Sequence, residues 1–231
     1  MNSHYYNSDL NAVNVFKSKI SKRTIKSVEK FFNENVKGNI DNTDFNTVSP
    51  SWNSDIKWIS VNTRYMYDEF LNIFKSINLD IFNEIIDLKK EIRCYSAFFV
   101  TRTKCNKPNF HTDFNKTGNN GFTLMTPLTN IDNDRKGHLL YKDKDGNERV
   151  YKYKRGECII FGDSFVHSTQ PYKNKEVTFL CFTFGSDKKD YWKNIFQSIG
   201  TQQKNIMRYD KKYVNCQNET NRLGGSLNRT Y

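Results

Sequence analysis

Apolar residues follow two rhythms along the chain, and the rhythm changes near residue 92. Val13, Phe16, Ile20, Ile25, Val28, Phe31 and Phe32 recur at roughly helical spacing with lysines between them, which predicts a helix or helix pair over 11–37. Between Arg64 and Ile92, the positions Phe70, Ile73, Phe74, Ile77, Ile81, Ile85, Ile86 and Leu88 return at three- and four-residue steps. The stretch "SINLD" interrupts that pattern and predicts two helices, with Asp80 as N-cap candidate of the second. The intervening "GNIDNTDFNTVSPSWNSD" (38–55) gathers Gly, Asn, Asp, Ser and Pro, residues that favour turns, and reads as a long loop.

After Ile92 the pattern becomes short β-rich runs divided by turns: "CYSAFFVTRT" (94–103), "GFTLMTPLTNI" (121–131), "HLLYKD" (138–143), "RVYKYKR" (149–155), "ECIIFGD" (157–163) and "EVTFLCFTFG" (176–185). Asp-Gly within "KDKDGN" marks a hairpin, because that pair tolerates the backbone of a tight two-residue turn. Strands preceded by helices predict an α+β fold, a two-sheet jelly roll with supporting N-terminal helices. In 186–231, "DYWKNIFQSIG" predicts a short helix packing Trp192, Ile195 and Phe196 on the core, and "GGSLNRTY" a flexible end. The 231 residues read as a single domain, with 1–92 as helical support and loop, 93–185 as the jelly-roll core and 186–231 as a C-terminal helix and tail.

Composition changes this picture little. Aromatics make up 15% of the chain, so its 36% apolar content understates the material available for a core. The N-terminus lacks the basic-then-apolar build of a signal peptide and no apolar run approaches the ~18 residues of a membrane span, so the expected setting is cytoplasmic with no membrane partner. Five cysteines (Cys94, Cys105, Cys158, Cys181, Cys216) form an odd set without a CxxC pair and read as buried thiols. A formal charge of +11 invites a nucleic-acid partner, but the Lys and Arg residues are dispersed, which disfavours one.

The candidate chemistry begins at "FHTDFNKTG" (110–118), where His111 and Asp113 stand two apart. With 4 His and 16 Asp in the chain, such a pair arises by chance in roughly one chain in four, so it carries little alone. A second histidine changes its weight. "IIFGDSFVHSTQP" places His167 after an apolar strand and a Gly-Asp turn, 54 residues beyond Asp113. A jelly roll can bring residues at that separation to one mouth of the barrel. Two imidazoles and one carboxylate on one face leave positions open, the donor set of non-haem Fe(II) oxygenases. His138 in "GHLLY" reads as structural or exposed, and His4 is uninformative.

Over residues 94–185 the order His-x-Asp, "TLMTPL", "GHLLY", a glycine turn, "IIFGDSFVHS" and a final strand resembles the Fe(II)/2-oxoglutarate-dependent dioxygenases of the prolyl-hydroxylase-like and phytanoyl-CoA-hydroxylase-like groups. The resemblance implies a double-stranded β-helix of cupin-like form, with His111, Asp113 and His167 as iron ligands and 2-oxoglutarate and O₂ as co-substrates. It also implies a cation for the distal carboxylate of 2-oxoglutarate shortly after the second histidine. "HSTQPYKNKEVTFL" offers Lys173 and Lys175 there, with Lys175 favoured at the edge of the apolar run. Thr123, Tyr95 and Thr169 are candidates for an assisting hydroxyl, while Arg93 and Arg102 are weaker candidates for substrate contacts and read as surface. Asp113 stands where related halogenases carry Gly or Ala, which favours hydroxylation. The Arg-x-Asn-x-Thr-x-Arg run of AlkB-type demethylases is missing after His167, and a lysine following that histidine argues against the JmjC type.

The expected activity is therefore hydroxylation of an aliphatic C–H in a small molecule or amino acid, coupled to decarboxylation of 2-oxoglutarate to succinate and CO₂. The exposed cations favour an acidic substrate. A prolyl-type peptide or protein hydroxylase, a nucleic-acid-modifying oxygenase and a non-catalytic jelly-roll binding module stand as alternatives.

Overall fold

A computed structural model describes residues 5–39, 41–49, 55–131, 136–173 and 175–225. In chain order its strands and helices are β1 (Tyr6–Asn7), β2 (Ala12–Val13), β3 (Val15–Lys19), α1 (Lys22–Phe31), β4 (Phe45–Val48), β5 (Ile56–Val61), α2 (Arg64–Lys75) and α3 (Phe82–Ile85). There follow β6 (Arg93–Arg102), β7 (Gly121–Pro127), β8 (Leu139–Lys142), β9 (Glu148–Tyr151), β10 (Glu157–Phe161), β11 (His167–Thr169) and β12 (Val177–Gly185). The chain ends in α4 (Lys189–Ile199), β13 (Asn205–Met207), β14 (Tyr213–Asn215) and α5 (Cys216–Arg222).

A seven-stranded antiparallel sheet runs in the order β3-β10-β7-β12-β6-β5-β4, and a three-stranded sheet in the order β11-β8-β9 faces it. Residues 105–111 extend the small sheet. The backbones of Cys105 and Tyr172, and of His111 and His167, exchange N–H···O bonds in both directions, each 2.9 Å long. Between these two pairs, five residues of one segment (106–110) oppose four of the other (168–171), so the first segment bulges on its way to His111. The two sheets make the jelly roll that the β-rich second half predicts.

Strand alternation divides the large sheet's residues between two cores. On β6 and β12, Ala97, Phe99, Leu180, Phe182 and Phe184 pack toward the helices, where they meet Ile25 and Val28 of α1 and Phe70 and Phe74 of α2. The alternate residues Phe98, Phe179 and Cys181 turn inward, against Leu139, Tyr141, Tyr151 and Tyr153. Ser21 and Thr63 cap α1 and α2 by accepting the N–H groups of Thr24 and Met66. A third cluster joins Tyr95 and Phe114 to Trp192, Ile195 and Phe196 of α4, as the helical reading of 190–200 predicts. All five cysteines are buried and unbridged.

Three expectations need correction. The helical reading of 11–37 holds for 22–36, where α1 runs on into a π-helical turn over Phe32–Val36, but not at its start: Val15–Lys19 is a strand that pairs with β10, Phe16 opposite Ile160. Its apolar spacing fits a helix, but the open edge of β10 supplies a ladder of backbone partners, and that tertiary pairing overrides local preference. The 38–55 loop contains β4, which pairs with β5 and buries Phe45. Asp80 caps nothing with its side chain, because α3 begins at Phe82 after Ile81 and has no side-chain cap. The C-terminal region also carries a hairpin and α5 beyond the helix, while most of "GGSLNRTY" lies outside the described residues, as does His4. No helix among the described residues is long and apolar enough to cross a membrane.

Candidate metal centre

His111, Asp113 and His167 converge at one mouth of the barrel, each offering a ligand atom within 4.8 Å of the others. The backbone pairing of His111 with His167 brings the two rings together, tilted by 49° with centroids 4.6 Å apart, and His167 lies against Phe161 at 4.4 Å. Asp113 follows on the chain as it leaves the small sheet. Its Oδ1 lies 3.5 Å from His111 Nε2 and 3.7 Å from His167 Nε2.

The second ring nitrogens determine what the first can do. His111 Nδ1 bonds the Asn109 carbonyl at 2.8 Å, and His167 Nδ1 bonds the Phe165 carbonyl at 3.1 Å. A carbonyl only accepts, so each Nδ1 carries the proton and each Nε2 keeps the lone pair that a metal requires. Burial pushes the His167 pKa down to about 4, helped by the nearby His111 and opposed by Asp113, so this ring is neutral at pH 7. Burial alone would raise the Asp113 pKa. When the two rings are protonated, the His111 hydrogen bond, the charges of both histidines and a bond from Thr123 outweigh it and hold the carboxyl well below its ordinary range. With both Nε2 atoms unprotonated, as a bound metal requires, the donor set consists of two neutral imidazoles and one carboxylate. It fits a divalent iron and leaves coordination positions open.

Exposure differs across the centre. The His167 side chain is 6% exposed, Asp113 22% and His111 35%, so the open side lies over His111. Behind the three ligands a cavity of about 120 Å³ runs between the sheets, walled by Phe98, Val100, Met125, Tyr153 and Phe179 among others.

The structure separates the other predicted site residues. Thr123 and Thr169 line the cavity, and the Thr123 hydroxyl donates to Asp113 Oδ2 at 2.7 Å. Tyr95 is fully buried away from it, its hydroxyl bonded to the Ser186 carbonyl at 2.7 Å. Lys175 Nζ donates to the Asn130 carbonyl at 2.9 Å, Lys173 is exposed, and neither lines the cavity. Arg102, expected at the surface, does line it. Arg93 is buried and pairs with Glu91 at 3.1 Å. His138 is structural as expected: it is buried, and its Nδ1 accepts the Tyr153 N–H at 3.2 Å.

One supporting residue escaped the sequence reading. Asp163, in the turn before His167, accepts the Thr117 N–H (2.8 Å), the Thr117 hydroxyl (2.6 Å) and the Gly118 N–H (2.9 Å). It thereby clasps the loop that leaves Asp113 to the segment that enters His167. The only signal was the Gly-Asp turn itself, which gives no indication of its partner.

No protein-family model matches the chain, and no curated protein matches it in sequence. Solved structures do match in fold. HygX from Streptomyces hygroscopicus, solved with nickel and 2-oxoglutarate bound, is 9% identical, with a TM-score of 0.56 over 79% of this chain and 88% of its own. A Pseudomonas putida prolyl-4-hydroxylase is 13% identical, with a TM-score of 0.51 over 77% and 95%. The α-ketoglutarate-dependent epimerase SnoN from nogalamycin biosynthesis is 8% identical, with a TM-score of 0.53 over 75% and 78%. The chain therefore has the double-stranded β-helix fold of the Fe(II)/2-oxoglutarate-dependent oxygenases, as its sequence resemblance implied.

Proposed function

We propose that this chain is an Fe(II)- and 2-oxoglutarate-dependent oxygenase that hydroxylates an aliphatic C–H of a small molecule or amino acid. The observation that carries the reading is the convergence of two lone-pair Nε2 atoms and one low-pKa carboxylate at the mouth of a barrel that opens into a cavity. Fe(II) held there supplies, with 2-oxoglutarate and O₂, the oxidising power for C–H hydroxylation, and 2-oxoglutarate leaves as succinate and CO₂.

The chain's own residues have separate tasks. His111, Asp113 and His167 bind the metal. The carbonyls of Asn109 and Phe165 orient the rings, and Thr123 orients the carboxylate. The apolar wall excludes water from the reacting groups. A cavity of about 120 Å³ suits a small co-substrate, so the substrate itself approaches over the exposed side of His111. HygX has been solved with hygromycin B and SnoN with nogalamycin RO, which supports a small-molecule substrate. We take residues 1–231 as one oxygenase domain, because β3, β4 and β5 from the first 92 residues complete the large sheet.

Anaerobic Fe(II) titration, followed by measurement of O₂-dependent succinate release from 2-oxoglutarate, tests the reading. Wild type should bind one Fe(II), and the His111→Ala, His167→Ala double variant should not. Unchanged iron affinity in that variant would sink the metal assignment, and iron binding without succinate release would leave a binding module.

A further inference from the structure

Among the described residues lining the cavity, Arg102 is the only one with a permanently charged cationic side chain. It ends β6, two residues beyond Val100 and four beyond Phe98, and all three line the same cavity. Across the sheet it stands opposite Val177 on β12 and Ile56 on β5. Val177 is buried with the inward-facing Phe179 and Cys181, so at this depth the last strand presents an aliphatic group and the positive charge comes from its neighbour.

The arginine is anchored at its base and free at its tip. Its carbonyl accepts the Tyr172 hydroxyl at 2.7 Å, and its Nε donates to the Lys104 carbonyl at 3.2 Å. The two terminal guanidinium nitrogens have no partner among the described residues. Lys175, in contrast, spends its ammonium on the Asn130 carbonyl outside the cavity.

We infer that Arg102 binds the distal carboxylate of 2-oxoglutarate, so that β6 rather than the last strand supplies the cation. This rests on the oxygenase reading above. Charge balance favours it. Two neutral imidazoles, one carboxylate and Fe(II) sum to +1, and Arg102 raises the cavity to +2, matching a dianion with one carboxylate at each end. A guanidinium can grip the distal carboxylate with two parallel N–H···O bonds, which an ammonium cannot. The apolar neighbours Val100 and Phe179 lower the local dielectric and strengthen the pairing.

The experiment compares two acids on Fe(II)-loaded protein without O₂: 2-oxoglutarate and 2-oxopentanoate, in which a methyl replaces the distal carboxylate. Arg102→Gln should weaken 2-oxoglutarate binding by about 10- to 100-fold, the loss of a charge-assisted contact, and leave 2-oxopentanoate unchanged. Arg102→Lys should be intermediate, and Lys175→Ala should match wild type. The ratio of the two affinities, measured on one variant, does not depend on how much of that protein is folded. Equal weakening of both acids by Arg102→Gln, or loss of 2-oxoglutarate selectivity in Lys175→Ala alone, would overturn the inference while leaving the oxygenase reading intact. Wild type that binds Fe(II) but neither acid would instead remove the reading on which it rests.

Discussion

Thr123 donates its hydroxyl to Asp113 Oδ2 at 2.7 Å, while Asp113 Oδ1 faces the two histidine Nε2 atoms. One carboxylate oxygen is thus held by the large sheet and the other is presented to the metal. The sheet register places Thr123 on β7 between Phe161 of β10 and Thr183 of β12, so the donor sits on a rigid strand. Thr123→Val keeps the shape and removes the donor. It should lower Fe(II) affinity by about 10- to 100-fold, the usual cost of losing such a partner, with thermal stability of the metal-free protein nearly unchanged. Calorimetric titration against wild type checks this, and equal affinity would show that Asp113 needs no support.

Asp163 joins both halves of the centre through three hydrogen bonds to Thr117 and Gly118. Asp163 Oδ2 accepts both amides and Oδ1 the hydroxyl, so Asp163→Ala removes every acceptor and leaves the Thr117 and Gly118 N–H groups unpaired, which should cost about 1–3 kcal/mol or more in denaturant unfolding. Fe(II) affinity should fall as well, because the loop leaving Asp113 loses its anchor. Thr117→Val removes one of the three bonds and should show a smaller loss in both measurements.

The parts of the fold and site that were legible share a physical cause. The convergence of His111, Asp113 and His167 could be read because the donor chemistry restricts residue types and the strand order restricts which ends meet. The strands β6 to β10 and β12 could be read because alternation and glycine turns are local signals, whereas the three-residue β11 was not among the strands read. What was not legible depended on partners distant in sequence. Val15–Lys19 is a strand only because β10 offers it an edge, and Phe45–Val48 only because β5 does. Lys175 and Arg102 exchanged expected places for the same reason. Alternation gives the side of a strand, but the Asn130 carbonyl that holds Lys175 lies 45 residues away and the cavity that admits Arg102 is built by six strands and their connections.

The depressed pKa of His167 makes the metal-free protein acid-sensitive in a defined direction. Its folded value of about 4 lies below the ordinary 6.5, so between these values the unfolded chain binds a proton that the folded one refuses. Unfolding free energy therefore rises with pH across this window and is fully present above about 6.5. Acidification from pH 7 to pH 5 should remove about 2 kcal/mol through this residue, since most carboxylates stay ionised over that range. Denaturant unfolding at the two pH values measures the loss, and His167→Gln should reduce it. A wild-type stability that is flat from pH 7 to 5 would mean that His167 titrates normally in the folded state.

Gly185 ends β12 where it passes the loop that carries Asn120. A Cβ at this position would lie 2.0 Å from the Asn120 carbonyl oxygen and 2.9 Å from both its carbonyl carbon and the Tyr95 hydroxyl. Two of these three atoms are backbone, and Asn120 is tied in place. Its side chain bonds the carbonyls of Thr117 and Gly118, its Oδ1 accepts the Asp87 N–H, and its carbonyl accepts the Ser186 N–H. The clash cannot be relieved by turning one side chain, so the loop must move, and with it the Thr117–Gly118 segment clasped by Asp163. Gly185→Ala should therefore cost about 4 kcal/mol or more, at the upper end for a single substitution. It should also weaken Fe(II) binding in whatever fraction remains folded. Gly146→Ala provides the contrast: nothing lies within 4 Å of its Cβ position, and only its positive φ of 82° opposes the change. That variant should lose about 1 kcal/mol and keep wild-type iron affinity. Parallel melting curves and iron titrations of the two variants would show whether the close approach at Gly185, rather than the loss of a glycine as such, maintains the centre.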